Sequence, residues 1–374
     1  MSKIFIGLNH FLYKQIFKRI LFLTNSEFIH EGLTAFGELL GTVYFFNFLI
    51  SKLIKIEDKS LEQNVIGIEF KNPVGLAAGF DYNGKLTKVT SSLGFGFETI
   101  GTITNKPYEG NPGPRLGRLV KSRALMVNKG FKNPGIEKIL KKLKKSKFSI
   151  PVGISIGKTN TTKHMTQNEA VKDITDTFIK AEKSRIKFSY YELNISCPNL
   201  YGDISFYPPE NLENLLKALA NLKLKRPVFI KMPIEKTDKE IIQMLDVITK
   251  FQVVGVIFGN LQKDRKDPSL DREELNKYKI GFFSGKPTEK RSNELIKLAY
   301  KKYGKKLIII GCGGIFNGKD AYKKIRLGAT LVQFITGMIF EGPQLAAQIN
   351  LELIGLLKND GYKNIAEAIG IDNR

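Results

Sequence analysis

The chain has 374 residues, of which 42% are hydrophobic, enough to fill one large core. Two cysteines exclude a disulfide framework, and three scattered histidines exclude a clustered metal site, so no metal is expected. This cysteine usage favours a reducing, intracellular setting. The formal net charge of +23 raises nucleic acid and anionic lipid as partners.

The positive charge is spread along the whole chain. Lysines concentrate on predicted helices, as in the run KILKKLKKSK at residues 138–147. The sequence has no zinc-ligand spacing, no RNA-binding signature and no glycine-flanked aromatic platform. Because a charge run is usually a solvated helix face, we expect a basic surface and no nucleic-acid partner. Attraction to anionic lipid remains open.

The first sixty residues differ from the rest of the chain. Apolar residues recur at helical spacing between basic ones at residues 11–23, and the run LLGTVYFFNFLI at residues 39–50 has no charge. This run is shorter than the ~20 residues that span a bilayer. We expect residues 1–60 to be a helical segment that lies on the membrane, peripherally and at the cytoplasmic face. The alternative is a helical cap packed on a barrel end, and both descriptions can hold in part.

From Asn72 onward, eight short apolar runs alternate with amphipathic helical patterns. The predicted strands are residues 73–78, 97–101, 152–156, 190–195, 228–231, 254–258, 307–310 and 331–335. Such runs are typical of parallel strands covered on both faces. Helical patterns lie between most of them, at residues 211–221, 239–251, 289–303 and 319–326. Eight β-α units favour an α/β fold, a closed (β/α)8 TIM barrel at residues 61–374, over an open doubly wound sheet.

Polar residues and glycines follow almost every predicted strand. Asn194, Lys231 and Asn260 stand at the ends of three consecutive ones. Turn preferences explain individual glycines, but they do not explain these three side chains. Since the active sites of such barrels lie at the carboxyl ends of the strands, we expect the site there.

A phosphate site is predicted after the last two strands. Gly313 and Gly314 follow the seventh strand, and the Thr336–Gly337 turn follows the eighth. Glycines let backbone amides approach a ligand closely, and a helix N-terminus favours an anion. This position in the barrel favours a phosphorylated cofactor or substrate.

Lys231 and Cys197 are the candidate reactive side chains. A lysine in a barrel mouth is costly to leave unpaired, so a carboxylate, a phosphate or a flavin is expected beside it; the alternative is a head group that reaches solvent. Cys197 precedes a proline in ELNISCPNLYGD and is a candidate general base. An inert buried thiol or a metal ligand without companions are the alternatives. Cys312, between glycines, is expected to serve packing.

Several segments resemble the dihydroorotate dehydrogenase family in that family's order and spacing. They are NPVGLAAGFD, GTIT, NKGFKNPG, NISCPN, IIGCGGI and GATLVQ, and the resemblance covers about residues 67–348. The N-terminal segment resembles that of the membrane-associated, quinone-using class 2 enzymes. The resemblance implies oxidation of dihydroorotate to orotate in pyrimidine biosynthesis, with hydride passing to FMN N5, a proton to a base and electrons to quinone.

Site residues are carried over from the resemblance by position. Cys197 takes the place of the catalytic base. The resemblance implies cofactor-binding roles for Ala78, Gly79, Thr102, Ser155, Asn194, Lys231, Gly259, Gly285, Gly313, Gly314, Ile335 and Thr336. It implies substrate-binding roles for Tyr82, Asn128, Gly130, Phe131, Asn194, Asn199 and Asn260.

Two departures from the family pattern concern charge and acidity. Class 2 members usually carry serine where Cys197 stands, and class 1 members carry cysteine. Because a thiol is more acidic than a hydroxyl, we expect activity to persist at lower pH. Tyr82 stands where the family has a lysine that reaches the substrate carboxylate and the flavin. Lys85, Lys129 or Lys132 is then the candidate to supply that charge.

Two further departures lie in the loops. Ser155 replaces an asparagine, and the loop that begins at Asn128 is one residue shorter, with Lys132 where asparagine is usual. Two alternatives remain open, the first motivated by Tyr82 and the altered loop and the second by the net charge of +23. One is an FMN barrel oxidoreductase that acts on a related cyclic substrate or uses a soluble acceptor. The other is a non-catalytic basic barrel that binds membrane or nucleic acid, for which a colourless preparation would be the sign.

Overall fold

Eight parallel strands close into a barrel in chain order. The structure is a computed structural model that describes residues 2–373, so Met1 and Arg374, the outer ends of the two predicted units, lie outside it. The strands are β1 (Val74–Leu76), β2 (Phe97–Ile103), β3 (Val152–Ile156), β4 (Tyr190–Asn194), β5 (Val228–Met232), β6 (Gly255–Phe258), β7 (Ile308–Cys312) and β8 (Leu331–Phe334). β8 returns to β1 with Val332 opposite Val74. The predicted (β/α)8 barrel is confirmed.

Helices surround the barrel at the predicted places. The main ones are Ile136–Leu143, Gln167–Lys183, Pro209–Ala220, Asp238–Ile248, Glu289–Tyr303, Gly318–Arg326 and Leu345–Asn359. Two of them begin with a capping box, in which Thr166 or Thr237 exchanges hydrogen bonds with a glutamate three residues later. Such caps satisfy backbone N–H groups that the first helical turn leaves free.

Every second residue of each barrel strand points inward, because successive side chains point to opposite faces of the sheet. The inward side chains of the strands fill the barrel interior in layers. The lowest layer is apolar and largely aromatic, and Phe97, Tyr190 and Phe229 pack there with Ile257 and Ile310. Glycines on neighbouring strands make room for these rings: a Cβ added at residue 153 would lie 2.1 Å from the Tyr190 ring. An antiparallel hairpin, Gln63–Val65 with Ile68–Phe70, adds side chains to the same cluster. Side chains fill the lower layers of the barrel, so space for a site remains at the carboxyl ends of the strands.

A three-stranded antiparallel sheet, which the sequence analysis did not predict, comes from two loops at that end. Its strands are Leu116–Leu119 and Ala124–Val127, from the connection after β2, and Phe282–Gly285, from the connection after β6. The sheet has its own small core around Met126, Leu275 and Phe283. It provides a wall for the site described below.

The N-terminal segment, residues 2–54, is helical. Its elements are Ser2–Leu12, the π-helical turn Tyr13–Phe17, Lys18–Phe22, Ser26–Thr42 and Tyr44–Ile54. The uncharged run 39–50 is not one helix, because Val43 has an extended backbone and the two flanking helices meet at 101°. Within residues 2–373 no single helix has the length and apolar character to cross a membrane; this bent pair passes that test only when its two helices are combined.

The N-terminal segment packs on the barrel through polar contacts as well as apolar ones such as Ile6 and Ile54 with Ala347. The Glu27 carboxylate accepts hydrogen bonds from Arg115 Nε and Lys132 Nζ, each at 2.9 Å. The Tyr13 hydroxyl donates to the carbonyl of Ile339 at 2.7 Å. This docking agrees with the cap alternative.

The outer face of the same segment is apolar. All the exposed large hydrophobic side chains except Ile66, Val120 and Ile280 lie in residues 2–54. Leu23 and Tyr44 are 88% and 81% exposed. The segment therefore combines a docking side with both polar and apolar contacts and an unusually apolar exterior.

The Glu27 contacts lead to a prediction about docking of the segment. Glu27→Gln removes a carboxylate that serves two cations, so the local opening free energy of helix Ser26–Thr42 should fall by about 1–3 kcal/mol. Amide hydrogen exchange of that helix measures the change. Glu31→Gln is the matched control, because Glu31 is half exposed and pairs with Lys132 alone. Equal exchange in wild type and Glu27→Gln would contradict the assignment.

Candidate active site

A cavity of about 910 Å³ lies at the carboxyl ends of the barrel strands. The antiparallel sheet contributes Leu125 and Val127 to its walls, and the N-terminal segment contributes His30. The predicted site residues that line it are Ala78, Gly79, Tyr82, Thr102, Gly130, Phe131, Asn194, Cys197, Asn199, Lys231, Asn260 and Ile335. Residues far apart in sequence thus share one cavity.

Glu192 and Lys231 are buried together beneath this cavity. Lys231 Nζ lies 4.0 Å from Glu192 Oε1, and both side chains are almost fully buried. Ser155 Oγ donates to the same carboxylate oxygen at 2.8 Å and is itself 2.9 Å from Thr102 Oγ1. Lys231 therefore has a carboxylate partner and does not reach out to solvent, which excludes the snorkelling alternative.

The hydrogen-bond chain continues across the barrel mouth. Asn260 Nδ2 donates to Ser196 Oγ at 2.5 Å, and Ser196 Oγ donates to Asn194 Oδ1 at 3.1 Å. Asn194 Nδ2 then donates to Thr102 Oγ1 at 2.8 Å. The hydroxyls of Ser196, Thr102 and Ser155 each donate to the next acceptor in the chain. All of these hydrogen bonds therefore run in the direction of the Glu192 carboxylate. One chain of contacts thus joins β2 through β6.

Glu192 and Ser196 are members of this chain that the sequence analysis missed. Glu192 stands between Tyr190 and Asn194 on one strand, and all three point inward because they are two residues apart. That alternation was the available signal. Ser196 lies in a loop, where no periodicity marks it.

A second cavity of about 480 Å³ adjoins the first and shares residues such as Ala78, Lys231 and Ile335 with it. Five further predicted cofactor residues line it: Gly259, Gly285, Gly313, Gly314 and Thr336. The turns after β7 and β8 therefore meet, as the phosphate prediction requires.

The donor set of this second cavity fits a phosphate group. Gly313 and Gly314 have φ values of 91° and 70°, a backbone conformation that glycine adopts without strain. Among residues 2–373, no group accepts a hydrogen bond from the Gly314 amide. Ser284 and Thr336 add two hydroxyls 2.8 Å apart. Free amides and hydroxyls are what phosphate oxygens require.

Two predicted site residues do not line either cavity. Ser155 lies below the floor, bonded to Glu192 and Thr102. Asn128 accepts a hydrogen bond from Asn111 Nδ2 at 3.0 Å and donates to the Pro112 carbonyl at 3.2 Å. Its amide is therefore committed to the neighbouring loop.

Comparison with known proteins assigns the family. The dihydroorotate dehydrogenase family model matches residues 60–357. A relative from Christiangramia forsetii, named dihydroorotate dehydrogenase (quinone), is 37% identical over 351 residues, covering 92% of this chain and 99% of the relative. The chain belongs to the dihydroorotate dehydrogenase family. A second relative of that name, from a Nitratiruptor species, is 35% identical and covers 96% of this chain and 98% of its own length.

Solved structures agree with this assignment. The ligand-free dihydroorotate dehydrogenase of Eimeria tenella superposes with a TM-score of 0.78 at 30% identity, covering 90% of this chain and 99% of that one. The same enzyme in complex with ferulenol gives 0.77 at 29% identity, covering 88% and 94%. The alignment with the Nitratiruptor relative covers 96% of this chain, so it includes most of the N-terminal segment. The family model itself begins at residue 60, so the family assignment does not depend on this segment.

Cys197 is the residue for which the resemblance predicts the role of catalytic base. It is partly buried in the loop after β4. Burial raises the pKa of its thiol to about 11, although the Asn199 amide and the Lys231 and Lys263 charges act in the opposite direction. Burial therefore makes this thiol less acidic than an exposed cysteine, and activity at lower pH than in a serine enzyme stays a prediction. Cys312 is buried in the apolar cluster inside the barrel, as expected.

Tyr82, for which the resemblance implies the family's lysine position, is buried and contacts two neighbouring side chains. Its ring stacks on the His30 ring of the N-terminal segment, with centroids 5.5 Å apart and planes at 14°. Lys129 Nζ lies 4.6 Å from the centroid of the Tyr82 ring. Of the three lysines named for the missing charge, Lys129 and Lys132 line the cavity and Lys85 does not.

The Cys197 environment predicts its reactivity toward alkylating reagents. The thiolate is the nucleophile, so with a pKa near 11 the alkylation rate should rise roughly tenfold per pH unit between pH 7 and 10. Mass spectrometry of the Cys197 peptide after timed exposure to iodoacetamide measures this rate, and the buried Cys312 is the internal comparison. A rate that levels off near pH 8.5 would show an ordinary thiol pKa instead.

Proposed function

We propose that this chain oxidises dihydroorotate to orotate in pyrimidine biosynthesis, with FMN as cofactor and a quinone as electron acceptor. The two relatives described above carry that enzyme name. The observation that carries the proposal is the convergence of Cys197, Lys231, Asn194 and Asn260 on one cavity. Amides, a thiol and an ammonium group at a barrel mouth suit a polar ring substrate that must lose a proton and a hydride.

FMN would occupy the two adjoining cavities. When bound, it supplies the acceptor for the hydride that leaves the substrate. Its phosphate would bind the free amide of Gly314 and the hydroxyls of Ser284 and Thr336, and Lys231, whose charge Glu192 balances, would donate a hydrogen bond at the cavity floor. The Gly79 backbone, with a φ of 114°, permits close approach of a flat ring where a side chain would intrude.

The substrate ring would bind between the asparagines and Cys197. Asn194, Asn199 and Asn260 each offer an amide that both donates and accepts, which matches the alternating N–H and carbonyl groups of a pyrimidine ring. Cys197, as thiolate, would take the proton from C5. The general base and the hydride acceptor then act on neighbouring carbons.

The quinone would enter beside the N-terminal segment. His30, Leu116 and Ile339 line that part of the cavity. Burial lowers the pKa of His30 to about 3, so the imidazole is neutral at physiological pH. A neutral and largely apolar wall suits an uncharged quinone ring.

Membrane association is the second part of the proposal. Exposed apolar side chains concentrate in residues 2–54, and Lys14, Lys18 and Lys52 stand among them. An apolar face with basic flanks favours peripheral binding to an anionic membrane surface, and we propose the cytoplasmic face. This position would place the cavity near a lipid-soluble acceptor.

The proposed base predicts the effect of Cys197→Ala. Quinone-dependent orotate formation should fall about 100-fold or more, because a positioned general base contributes that much. Bound flavin, identified as FMN after denaturation, should stay at the wild-type level. Cys197→Ser is the matched variant and should retain more activity than alanine. An equally active Cys197→Ala enzyme removes the base role, and flavin bleached only by another cyclic substrate would contradict dihydroorotate.

The apolar face predicts a loss of vesicle binding. Leu23→Ser with Phe45→Ser removes two exposed apolar side chains, so binding of the full chain to phosphatidylserine-containing vesicles should weaken at least about tenfold. Co-sedimentation measures the partition. Val120→Ser with Ile280→Ser, two exposed apolar residues outside residues 2–54, is the matched control and should bind as wild type does. Equal weakening in both pairs would refute docking through this segment.

A further inference from the structure

Three lysines line the large cavity, and two of them are neutralised. Lys231 faces the Glu192 carboxylate, as described above. Lys132 Nζ lies 2.9 Å from Glu27 Oε1 and 2.7 Å from Glu31 Oε1. Lys129 differs, because no carboxylate among residues 2–373 lies within 4.0 Å of its ammonium group. The cavity therefore holds one cation without a counter-charge.

The groups around Lys129 position its ammonium group but do not neutralise its positive charge. The face of the Tyr82 ring lies 4.6 Å from Nζ, a distance at which an aromatic ring attracts a cation. His30 also stacks on that ring. Burial lowers the pKa of Lys129 to about 8, while the Glu27 carboxylate opposes that shift. Lys129 thus remains mostly protonated at neutral pH.

We propose that Lys129 is the substrate-binding residue that recognises the carboxylate of dihydroorotate and orotate, and that Tyr82 is the positioning residue that holds it. The inference rests on the proposed function, which supplies an anionic substrate. A buried cation is stabilised by an anion that arrives with the ligand. Lys231 and Lys132 already have carboxylate partners, so Lys129 is the cation left for this task.

This role separates recognition of the carboxylate from recognition of the ring. The asparagine amides would bind the ring of any pyrimidine, whereas Lys129 would bind only one that carries a negative group. Uracil is orotate without its carboxylate. The pair of ligands therefore isolates what Lys129 contributes.

The experiment measures dissociation constants of orotate and uracil from the flavin absorbance change of the purified holoenzyme. Lys129→Met should raise the orotate constant roughly 10- to 100-fold, the size of a lost charged hydrogen bond. The uracil constant should stay within about twofold. Lys129→Arg, which keeps the charge, should recover most of the orotate affinity. Lys85→Met is the matched control and should bind both ligands as wild type does.

The outcomes separate the inference from the function on which it rests. Unchanged orotate binding in Lys129→Met overturns the role of Lys129 and leaves the enzyme assignment intact. Equal losses for orotate and uracil also overturn it, because they indicate a structural effect. If Lys129→Met loses its flavin, Lys129→Arg decides: a flavin-loaded arginine variant that has lost orotate binding counts against the proposal. A wild type that neither binds orotate nor is reduced by dihydroorotate refutes the function itself.

Discussion

The Glu192 carboxylate is the interaction on which the site depends. It lies inside the barrel, where a charged group without partners would be strongly unfavourable. Lys231 approaches it from β5, and the hydrogen-bond chain from Asn260 through Asn194 and Ser155 ends on it. Because each donor in the chain has its direction fixed by the next acceptor, the amide orientations at the rim follow from this one buried charge. The aromatic layer below excludes water from beneath it.

The fold was predictable from sequence because its signals are local. Eight apolar runs bounded by polar residues gave strand positions within about three residues, and the helix at residues 289–303 matches Glu289–Tyr303. The helix break at Val43 was not predicted, because the run 39–50 contains no proline and no charged residue. The antiparallel sheet was missed for a different reason. Its strand Phe282–Gly285 pairs with Ala124–Val127, more than 150 residues away, so register depends on the assembled barrel.

The site residues that stand at strand ends or in family motifs were predictable from the sequence. Most of the residues named from the sequence share one cavity, and Glu192 could have been found from its spacing to Tyr190 and Asn194. The pairing of Lys129 with Tyr82, and the stack of Tyr82 on His30, have no sequence signal. These contacts join three segments that are distant in sequence and that only folding brings together. The raised pKa of the Cys197 thiol is likewise a property of burial, and residue type alone pointed the other way.

Tyr82 contacts one neutral and one charged side chain of the same cavity. Burial keeps His30 uncharged at neutral pH, whereas Lys129 keeps its proton. The Lys129 charge would attract an anion, and the neutral imidazole presents no charge to an uncharged lipophilic molecule. Two chemically unlike reactants would therefore meet different surfaces of one cavity, and Tyr82 is the side chain that touches both surfaces.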